Sequence, residues 1–311
     1  MKKYLSLLLV FAMLTACLAG CGSKEEAPAT TTPSTETTTT TEPAVSNEPI
    51  ELTVGVGAQF TTFDPFMNNE VVNGYVLTHL YANLFRTDPD YLPQKELCED
   101  YTISEDGKVY TFTLKKDLKW SNGDPLTAYN FEYGWLRGLS FGADTAYTMT
   151  TMVNYVEGAK EYQAAALEKG TDFDCTKEDH SYVGIKAIDD LTFEVTLKNP
   201  CPHFLQLVAG SAWTALPLTA PQHEGLWAFE GGYPTSGPYT LQEANPNEKA
   251  VVVKNPNYWN AENVTLDKIN FVVMTDSAAQ FLAFQKGDID VALSVSKDDC
   301  SKYAGTDSFW T

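Results

Sequence analysis

The residues that could carry out catalysis or hold a metal ion are few in this chain, and their spacing suits neither task. The sequence contains neither the GxSxG nor the HExxH pattern that marks common hydrolases. The paired acids Asp189 and Asp190 lie between two β-strand patterns, so we interpret them as a solvated turn. The histidines show no metal-ligand spacing; they are His79, His180, His203 and His223. We therefore predict no enzymatic activity, no metal site and no cofactor.

Two cysteines near the N-terminus indicate a different chemistry, the formation of a lipid thioether. An apolar run from Leu5 to Leu14 follows two lysines, which is typical of a secretory signal. Two candidate processing sites follow, at Cys17 and Cys21. We favour Cys21, because small residues precede it and a polar stretch begins after it. Acyl chains on Cys21 would anchor the protein without a membrane-spanning helix; an ordinary cleaved signal with incidental cysteines is the alternative.

The other four cysteines are widely spaced along the chain. Cys175 and Cys201 flank a predicted hairpin over residues 182–197, and antiparallel pairing of its strands could bring them together. A disulfide between Cys175 and Cys201 is therefore one prediction for an exported protein. Buried free thiols are the alternative.

Residues 1–21 are thus predicted to be a lipoprotein signal peptide, and residues 22–48 a disordered tether. Thr, Pro, Ser, Ala and Glu make up nearly all of the stretch from Ala27 to Asn47, in which Val45 is the one large apolar residue. Such a stretch buries too little apolar surface to offset the entropy lost on ordering. We expect it to hold the folded part away from a membrane.

The formal net charge of −20, from 41 acidic and 21 basic residues, restricts the partners. Nucleic acids and anionic lipids both attract basic patches, so we predict no nucleic-acid partner and membrane contact only through the lipid anchor. The charge is compatible with ligands that carry an amine, although solubility explains it better. The chain is 43% hydrophobic and 12% aromatic, which suffices for substantial cores in more than one domain.

The segment from Asp106 to Arg137 predicts a strand, a tight loop and a helix in succession. Its first part alternates apolar and polar side chains, with the apolar ones at Tyr110, Phe112 and Leu114. A polar Ser-Asn-Gly-Asp-Pro loop follows at 121–125. Thr127 can then cap a helix in which large apolar residues recur every four positions, at Phe131, Trp135 and Leu139.

Short strand and helix patterns alternate along the rest of the chain without regular βαβ repetition. A first strand is predicted at 50–56, and the helix after it has Asn69 as a plausible cap. The patterns also predict one amphipathic helix over 150–169, a short helix over 200–209 and strands after Gly237. This mixture indicates an α/β or α+β fold of several lobes.

The sequence motif of the 106–137 segment resembles that of the family 5 solute-binding proteins, the peptide-binding components of ABC importers. The resemblance lies in three features: a Trp before the Asn-Gly-Asp-Pro turn, a Leu-Thr-Ala, and an aromatic-rich helix that ends in Arg. Further motifs similar to the family occur in the family's order between residues 50 and 291. They are Thr62–Pro65, Leu80–Phe85, Gly184–Leu197, Thr235–Tyr239, Asn255–Trp259 and Gly287–Asp290.

The resemblance implies a mixed α/β, two-lobed, periplasmic-binding-protein-like type II fold with an extra inserted subdomain. Residues 49–84 and 218–275 would build the sheet of the first lobe, and residues 85–217 the inserted subdomain. Residues 276–311 would begin the second lobe. Because most of that lobe would lie beyond Thr311, we expect the sequence to be a fragment of a longer protein.

As a function, the resemblance implies capture of extracellular oligopeptides between the lobes and delivery of the unaltered peptide to an ABC permease. The protein would be a monomer, lipid-anchored to the outer face of the cytoplasmic membrane. Binding of nickel chelates, sugars or signalling peptides by the same fold is the alternative. The missing catalytic motifs disfavour a secreted hydrolase, and the family's cleft-forming pattern disfavours a purely structural surface protein.

For ligand contact, the resemblance indicates Asn69, Glu70 and Val71, just after the Asp-Pro turn, where the family's first lobe touches the ligand backbone. Tyr147 falls where the family places a contacting tyrosine. Trp213 is a further candidate for lining the cleft. The alternatives are structural: Asn69 would cap a helix, Val71 would belong to the core, and Tyr147 would pack inside the subdomain.

Overall fold

The computed structural model describes residues 49–141, 149–222 and 233–308, all within the structural unit that starts at Glu48. The strands are β1 (Glu51–Val56), β2 (Phe85–Thr87), β3 (Pro93–Lys95), β4 (Cys98–Ile103), β5 (Val109–Leu114), β6 (Ile185–Ala187), β7 (Thr192–Thr196), β8 (Tyr239–Asn245), β9 (Lys249–Lys254), β10 (Lys268–Val273) and β11 (Val291–Ala292). The α-helices are α1 (Val71–Leu80), α2 (Ala128–Ser140), α3 (Met149–Tyr155), α4 (Ala159–Lys169), α5 (Phe204–Leu207), α6 (Ser277–Lys286) and α7 (Lys297–Tyr303).

The first sheet joins the beginning of the chain to its later part, in the order β11-β1-β10-β9-β8. Strand β1 pairs in parallel with β10 and β11, while β8, β9 and β10 form an antiparallel meander. The chain after Gly237 therefore returns to the sheet begun by β1. Strands β2 to β7 lie between the two halves of this sheet in the sequence, so they form an insertion.

The second sheet lies within this insertion and has the order β4-β5-β7-β6, with antiparallel pairing throughout. The side chains predicted to face the core from β5 are buried; they are Tyr110, Phe112 and Leu114. Helix α2 covers this sheet, and the ring of Trp135 meets that of Phe193 on β7 edge to face at 4.9 Å between centroids. The prediction of a strand, a loop and a helix over 106–137 is confirmed.

Thr127 is the N-cap residue of α2, as predicted. The backbone N–H of Thr127 donates to Oδ1 of Asn130 at 2.8 Å, so the side chain three positions into the helix reaches back to its start. The apolar residues predicted at every fourth position are all fully buried; they are Phe131, Trp135 and Leu139.

The single helix predicted over 150–169 is wrong, because the chain forms two helices, α3 and α4, in that range. Val156 pairs with Leu197 in an antiparallel bridge, and the N–H of Glu157 donates to the carbonyl oxygen of Thr196 at 2.9 Å. Gly158 then adopts a left-handed conformation with φ 66°, which residues with a side chain adopt less readily. Pairing with the end of β7 thus replaces one turn of helix.

The interpretation of Asn69 as a helix cap is also wrong. Helix α1 begins at Val71, and its N-cap position is Glu70. The neighbouring Asn68 is the residue whose Oδ1 accepts a hydrogen bond from the N–H of Glu70, at 3.0 Å. Asn69 precedes the N-cap and is exposed.

Strand β11 lies within residues 276–311, which were predicted to begin a second lobe. Its residues pair with β1, with Val291 opposite Val54 and Ala292 opposite Gly55. This segment therefore contributes one strand to the first sheet before it continues into α7. The sequence pattern showed the strand but not its partner.

The predicted disulfide is absent from the structure, in which Cys175 and Cys201 are buried free thiols. The two residues are held by different parts of the fold. The N–H of Cys175 donates to Oε1 of Gln222 at 3.1 Å, whereas the carbonyl oxygen of Cys201 accepts from the hydroxyl of Tyr110 on β5 at 2.9 Å. Pairing of β6 with β7 aligns residues 185–187 with 193–195, a ladder that reaches neither cysteine.

Candidate ligand-binding site

The carboxyl ends of three parallel strands, β1, β10 and β11, meet at one edge of the first sheet. The chain stays hydrogen-bonded to β1 just beyond this edge, since the N–H of Met274 donates to the carbonyl oxygen of Val56 at 2.8 Å. The N–H of Leu293 likewise donates to the carbonyl oxygen of Gly55 at 3.1 Å. In open α/β sheets, ligands bind outside the carboxyl ends of the strands. This edge is therefore the first place to look for a ligand site.

The segment 69–71 follows β1 and leads into α1. All three of its residues are exposed, and Val71 is 73% exposed although its side chain is apolar. Glu70 has an extended backbone with φ −118° and ψ 136°, and its side chain makes no capping hydrogen bond. The first N–H groups of a helix have no acceptor within the helix. The N–H of Glu70 already donates to Asn68, so this segment can offer the N–H of Val71 and an apolar contact to a ligand.

A buried ion pair fixes the turn that precedes this segment. Nη2 of Arg137 lies 2.7 Å from Oδ2 of Asp64, and Nη1 lies 3.3 Å from Oδ1. Both side chains are fully buried. Nε of Arg137 also donates to the carbonyl oxygen of Pro221 at 2.6 Å, and Oδ1 of Asp64 accepts from the N–H of Phe66 at 3.0 Å. The Thr-Phe-Asp-Pro motif and the Arg at the end of α2 therefore meet in one contact.

Asn73, which sequence reasoning did not single out, ties α1 to the same loop. It is fully buried, and its Oδ1 accepts from the N–H of Thr61 at 3.0 Å. Its Nδ2 donates to Oγ1 of Thr61 at 2.8 Å and to Oδ1 of Asn68 at 3.0 Å. An asparagine on the apolar face of a predicted helix is the signal that could have identified it, because buried polar side chains need partners.

The remaining predicted site residues lie elsewhere. Trp213 is only 2% exposed, and its ring packs edge to face against Trp135 and Phe204, with centroids 4.9 and 5.5 Å apart. Contact between Trp213 and a ligand would require this packing to open. Tyr147 and Cys21 lie outside the described residues.

No group of three or more His, Cys, Asp or Glu side chains that could hold a metal ion occurs within 49–141, 149–222 and 233–308. In the same ranges, no helix has the length and apolar character needed to cross a bilayer.

A second buried polar cluster lies near the other end of α1, around Glu96. The Glu96 side chain is 7% exposed. Its Oε1 accepts from the hydroxyl of Tyr258 at 2.9 Å, and its Oε2 accepts from the N–H of Asn83 at 3.1 Å. Burial raises the pKa of the Glu96 carboxyl above its ordinary value, although these two hydrogen bonds oppose the shift. Glu96 thus connects the Leu-Tyr-Ala-Asn-Leu-Phe motif to the Asn-Pro-Asn-Tyr-Trp motif.

The raised pKa of Glu96 predicts a pH-dependent loss of stability. The native state keeps this proton to a higher pH than the unfolded state, so the free energy of unfolding falls as the pH rises through the interval between the two pKa values. Glu96→Gln removes this pH dependence, and its side-chain oxygen can still accept the hydrogen bond from the backbone N–H of Asn83. We expect its stability relative to the unsubstituted chain to increase from acidic to neutral pH, by no more than about 1.4 kcal/mol per pH unit for one proton.

Urea unfolding of both forms between about pH 4 and pH 8 measures this difference, since that interval begins at the ordinary carboxyl pKa. Glu99→Gln is the matched control, because the Glu99 side chain is 66% exposed and only three residues away. A Glu96→Gln difference that stays constant with pH would contradict the assignment.

Comparison with known proteins decides the family. Residues 93–309 match the model that describes bacterial extracellular solute-binding proteins, family 5 Middle. The chain belongs to this family. The matched range contains strands β3 to β11 and helices α2 to α7.

Among the relatives of this family 5 protein are two binding proteins of Bacillus subtilis (strain 168). Dipeptide-binding protein DppE is 32% identical over 235 residues, which cover 75% of this chain and 40% of the relative. Oligopeptide-binding protein OppA is 30% identical over 243 residues, which cover 78% of this chain and 42% of the relative. The chain thus spans less than half the length of these curated relatives.

Solved structures of binding proteins share the fold. An oligopeptide-binding protein (OppAIV) of Borrelia burgdorferi matches 83% of this chain and 50% of its own, with a TM-score of 0.72 and 27% identity. The substrate-binding domain of an oligopeptide ABC transporter from Bacillus anthracis str. Ames matches 84% of this chain and 49% of its own, with a TM-score of 0.71 and 28% identity. The mixed α/β, type II periplasmic-binding-protein-like fold of this family 5 protein is therefore confirmed.

Proposed function

We propose that this chain supplies the first lobe and the inserted subdomain of a peptide-binding protein that serves an ABC importer. The observation that carries the proposal is the exposed segment 69–71, which follows the carboxyl end of β1 along the chain and has an extended backbone at Glu70. The relatives named for dipeptides and oligopeptides support a peptide as the ligand. Asn69, Glu70 and Val71 are the proposed contacts, with Tyr147 and Trp213 as further candidates.

In the proposed mechanism, an extended peptide lies along the carboxyl edge and pairs its backbone with the segment 69–71. Burying a peptide N–H or C=O group without a hydrogen-bond partner costs a few kcal/mol, roughly 2–7 depending on the reference state. Backbone pairing of the kind seen when a strand is added to a sheet satisfies these groups whatever the side chains are. Closure of a second lobe over the peptide would complete the binding site.

The proposed cellular location of the protein is the outer face of the cytoplasmic membrane. Lipid on Cys21 would hold the protein there, and residues 22–48 would let the folded part reach both free peptide and the permease. We propose that it acts as a monomer and releases the peptide unchanged, since the sequence contains neither a GxSxG nor an HExxH motif. The partners are then the peptide and the permease subunits.

Binding of a non-peptide solute is the second candidate function. One relative, 29% identical over 231 residues, is named "Probable deoxycholate-binding periplasmic protein YgiS". Family membership is therefore compatible with a ligand that has no peptide backbone. Nickel chelates and sugars are the other non-peptide candidates, and a signalling peptide is a further alternative ligand.

Calorimetry on the full-length protein, including any sequence that follows Thr311 in the gene, tests the proposal. We expect a mixed pool of tripeptides to pentapeptides to bind with a dissociation constant near 1 μM or below, that is, about −8 kcal/mol or more favourable. Mass spectrometry of the recovered pool should show every peptide intact. No heat with peptides, together with a clear signal from deoxycholate, a nickel chelate or an oligosaccharide, would replace the proposal by the second candidate.

A further inference from the structure

A cleft at the C-terminal end of α1 has the size and the chemistry of a separate small-molecule site. Its volume is about 480 Å³, within the range of ligand pockets. The groups that matter in its lining are Thr78, His79, Asn83, Arg86, Glu96 and Tyr258. Helix α1 has 10 residues and so is about 15 Å long, which separates this cleft from the segment 69–71 at its other end.

The Asn83 side chain presents an acceptor that no described residue satisfies. Asn83 is 8% exposed, and its Oδ1 is buried without a hydrogen-bond partner in the part of the chain that the structure describes. Its Nδ2 donates to the carbonyl oxygens of Ala209 and Gly210 at 3.0 and 3.1 Å. Because only an amino group can donate to those two carbonyls, the amide orientation is fixed and Oδ1 must remain an acceptor.

The Glu96 carboxyl contacts the same residue, because the backbone N–H of Asn83 donates to its Oε2 at 3.1 Å. Each Glu96 oxygen accepts one hydrogen bond, which leaves further acceptor capacity on both. Glu96 forms no ion pair at contact distance within the described ranges, and the positive charge of Arg86 acts on it only from farther away. A buried carboxylate without a cation in contact is costly, so a cation beside it would be stabilising.

The third group, His79, is also an acceptor. Its Nδ1 lies 2.7 Å from the carbonyl oxygen of Tyr75, which can only accept, so Nδ1 carries the proton. Burial lowers the pKa of His79, which favours the neutral ring, and Nε2 is then left with a lone pair. Arg86, at the exposed rim, is the one basic donor among the lining groups named above.

We propose that this cleft binds a primary ammonium ion, with the charged nitrogen donating to Oδ1 of Asn83 and to the Glu96 carboxylate. A primary ammonium group has three N–H donors and a positive charge, so it satisfies the orphan acceptor and neutralises the buried acid at once. Anions are repelled by Glu96, and a quaternary ammonium ion has the charge but no donor. The site is independent of the proposed peptide site, and neither proposal requires the other.

Saturation-transfer NMR with ethylammonium chloride on the full chain, in amine-free phosphate buffer, tests this site. We expect a dissociation constant for ethylammonium in the millimolar range. At equal ionic strength, the dissociation constant for tetramethylammonium chloride from the same titration should be at least tenfold higher. Hydrogen bonds to charged groups are strong enough to support a difference of this size. Equal affinity for the two cations, or no ethylammonium signal up to 50 mM (an upper limit about fiftyfold above a 1 mM dissociation constant), would overturn the proposal.

Variants locate the site within the chain. Glu96→Gln should weaken ethylammonium binding at least tenfold, with its fold checked by its thermal melting curve, whereas Glu99→Gln should bind as the unsubstituted chain does. Arg86→Gln should bind equally well or more tightly, because it removes a competing positive charge. Undiminished binding by Glu96→Gln, or loss of binding in Arg86→Gln, would refute the assignment.

Discussion

Replacing Arg137 with methionine is expected to lower the free energy of unfolding by about 3–5 kcal/mol. The substitution leaves the Asp64 carboxylate fully buried without the guanidinium group that lies 2.7 Å from it. It also removes the hydrogen bond that Nε of Arg137 donates to the carbonyl oxygen of Pro221. Urea unfolding of the purified chain measures the change, with loss of tryptophan fluorescence as the signal.

Two further variants separate the ion pair from a general effect of losing an arginine. Arg86→Met makes the same chemical change at an exposed site, where the expected loss is within about 0.5 kcal/mol. The double variant Asp64→Leu/Arg137→Met removes both charges, and it should recover most of the stability lost in Arg137→Met. A loss below about 1 kcal/mol in Arg137→Met would show that the pair does not hold the turn, because breaking a buried pair costs more than that.

Replacing Gly237 with alanine is expected to cost about 2–3 kcal/mol, the upper part of the range for overpacking. A Cβ atom at Gly237 would lie 2.6 Å from the carbonyl oxygen of His79, 2.7 Å from C of Leu80 and 2.8 Å from N of Tyr81. These are backbone atoms, which cannot rotate away as a side chain can. The N–H of Gly237 also donates to the carbonyl oxygen of Leu80 at 2.8 Å, so the two segments cannot separate without losing that bond.

Gly74→Ala is the matched control for this substitution. Gly74 lies inside α1, and the nearest atom to a Cβ there is Nδ2 of Asn68 at 4.0 Å. Alanine at a helix interior should raise the free energy of unfolding by about 0.5–1 kcal/mol. If the two variants unfold at the same urea concentration, the close approach at Gly237 does not limit stability.

The elements with clear local patterns were predictable from the sequence. In strand β5 and helix α2, apolar residues recur with the period of a strand or a helix over a short stretch of sequence. Their apolar side chains are buried where that pattern requires, as Phe112 and Trp135 show. The break between α3 and α4 was not predictable in this way. The break depends on the β-bridge between Val156 and Leu197, which are far apart in the sequence. Such tertiary pairing overrides helix propensity.

The site was predictable only in part. Resemblance indicated the segment 69–71, and the structure shows it exposed at the start of α1. The Asp64–Arg137 contact escaped notice because its partners are 73 positions apart, although two charged residues among aromatic neighbours were a usable signal. Trp213 was put forward as a candidate for lining the cleft, and its aromatic partners in the core became visible only once the fold was known.

Hydrogen exchange of the full-length protein with and without a saturating tripeptide tests the central claim, that the segment 69–71 meets the peptide backbone. We predict that amides within residues 67–73 exchange at least tenfold more slowly when peptide is bound, whereas the exposed turn at 104–107 is unchanged; tenfold corresponds to about 1.4 kcal/mol of added protection. Unchanged exchange over 67–73, in a sample that calorimetry shows to be saturated with peptide, would contradict the account.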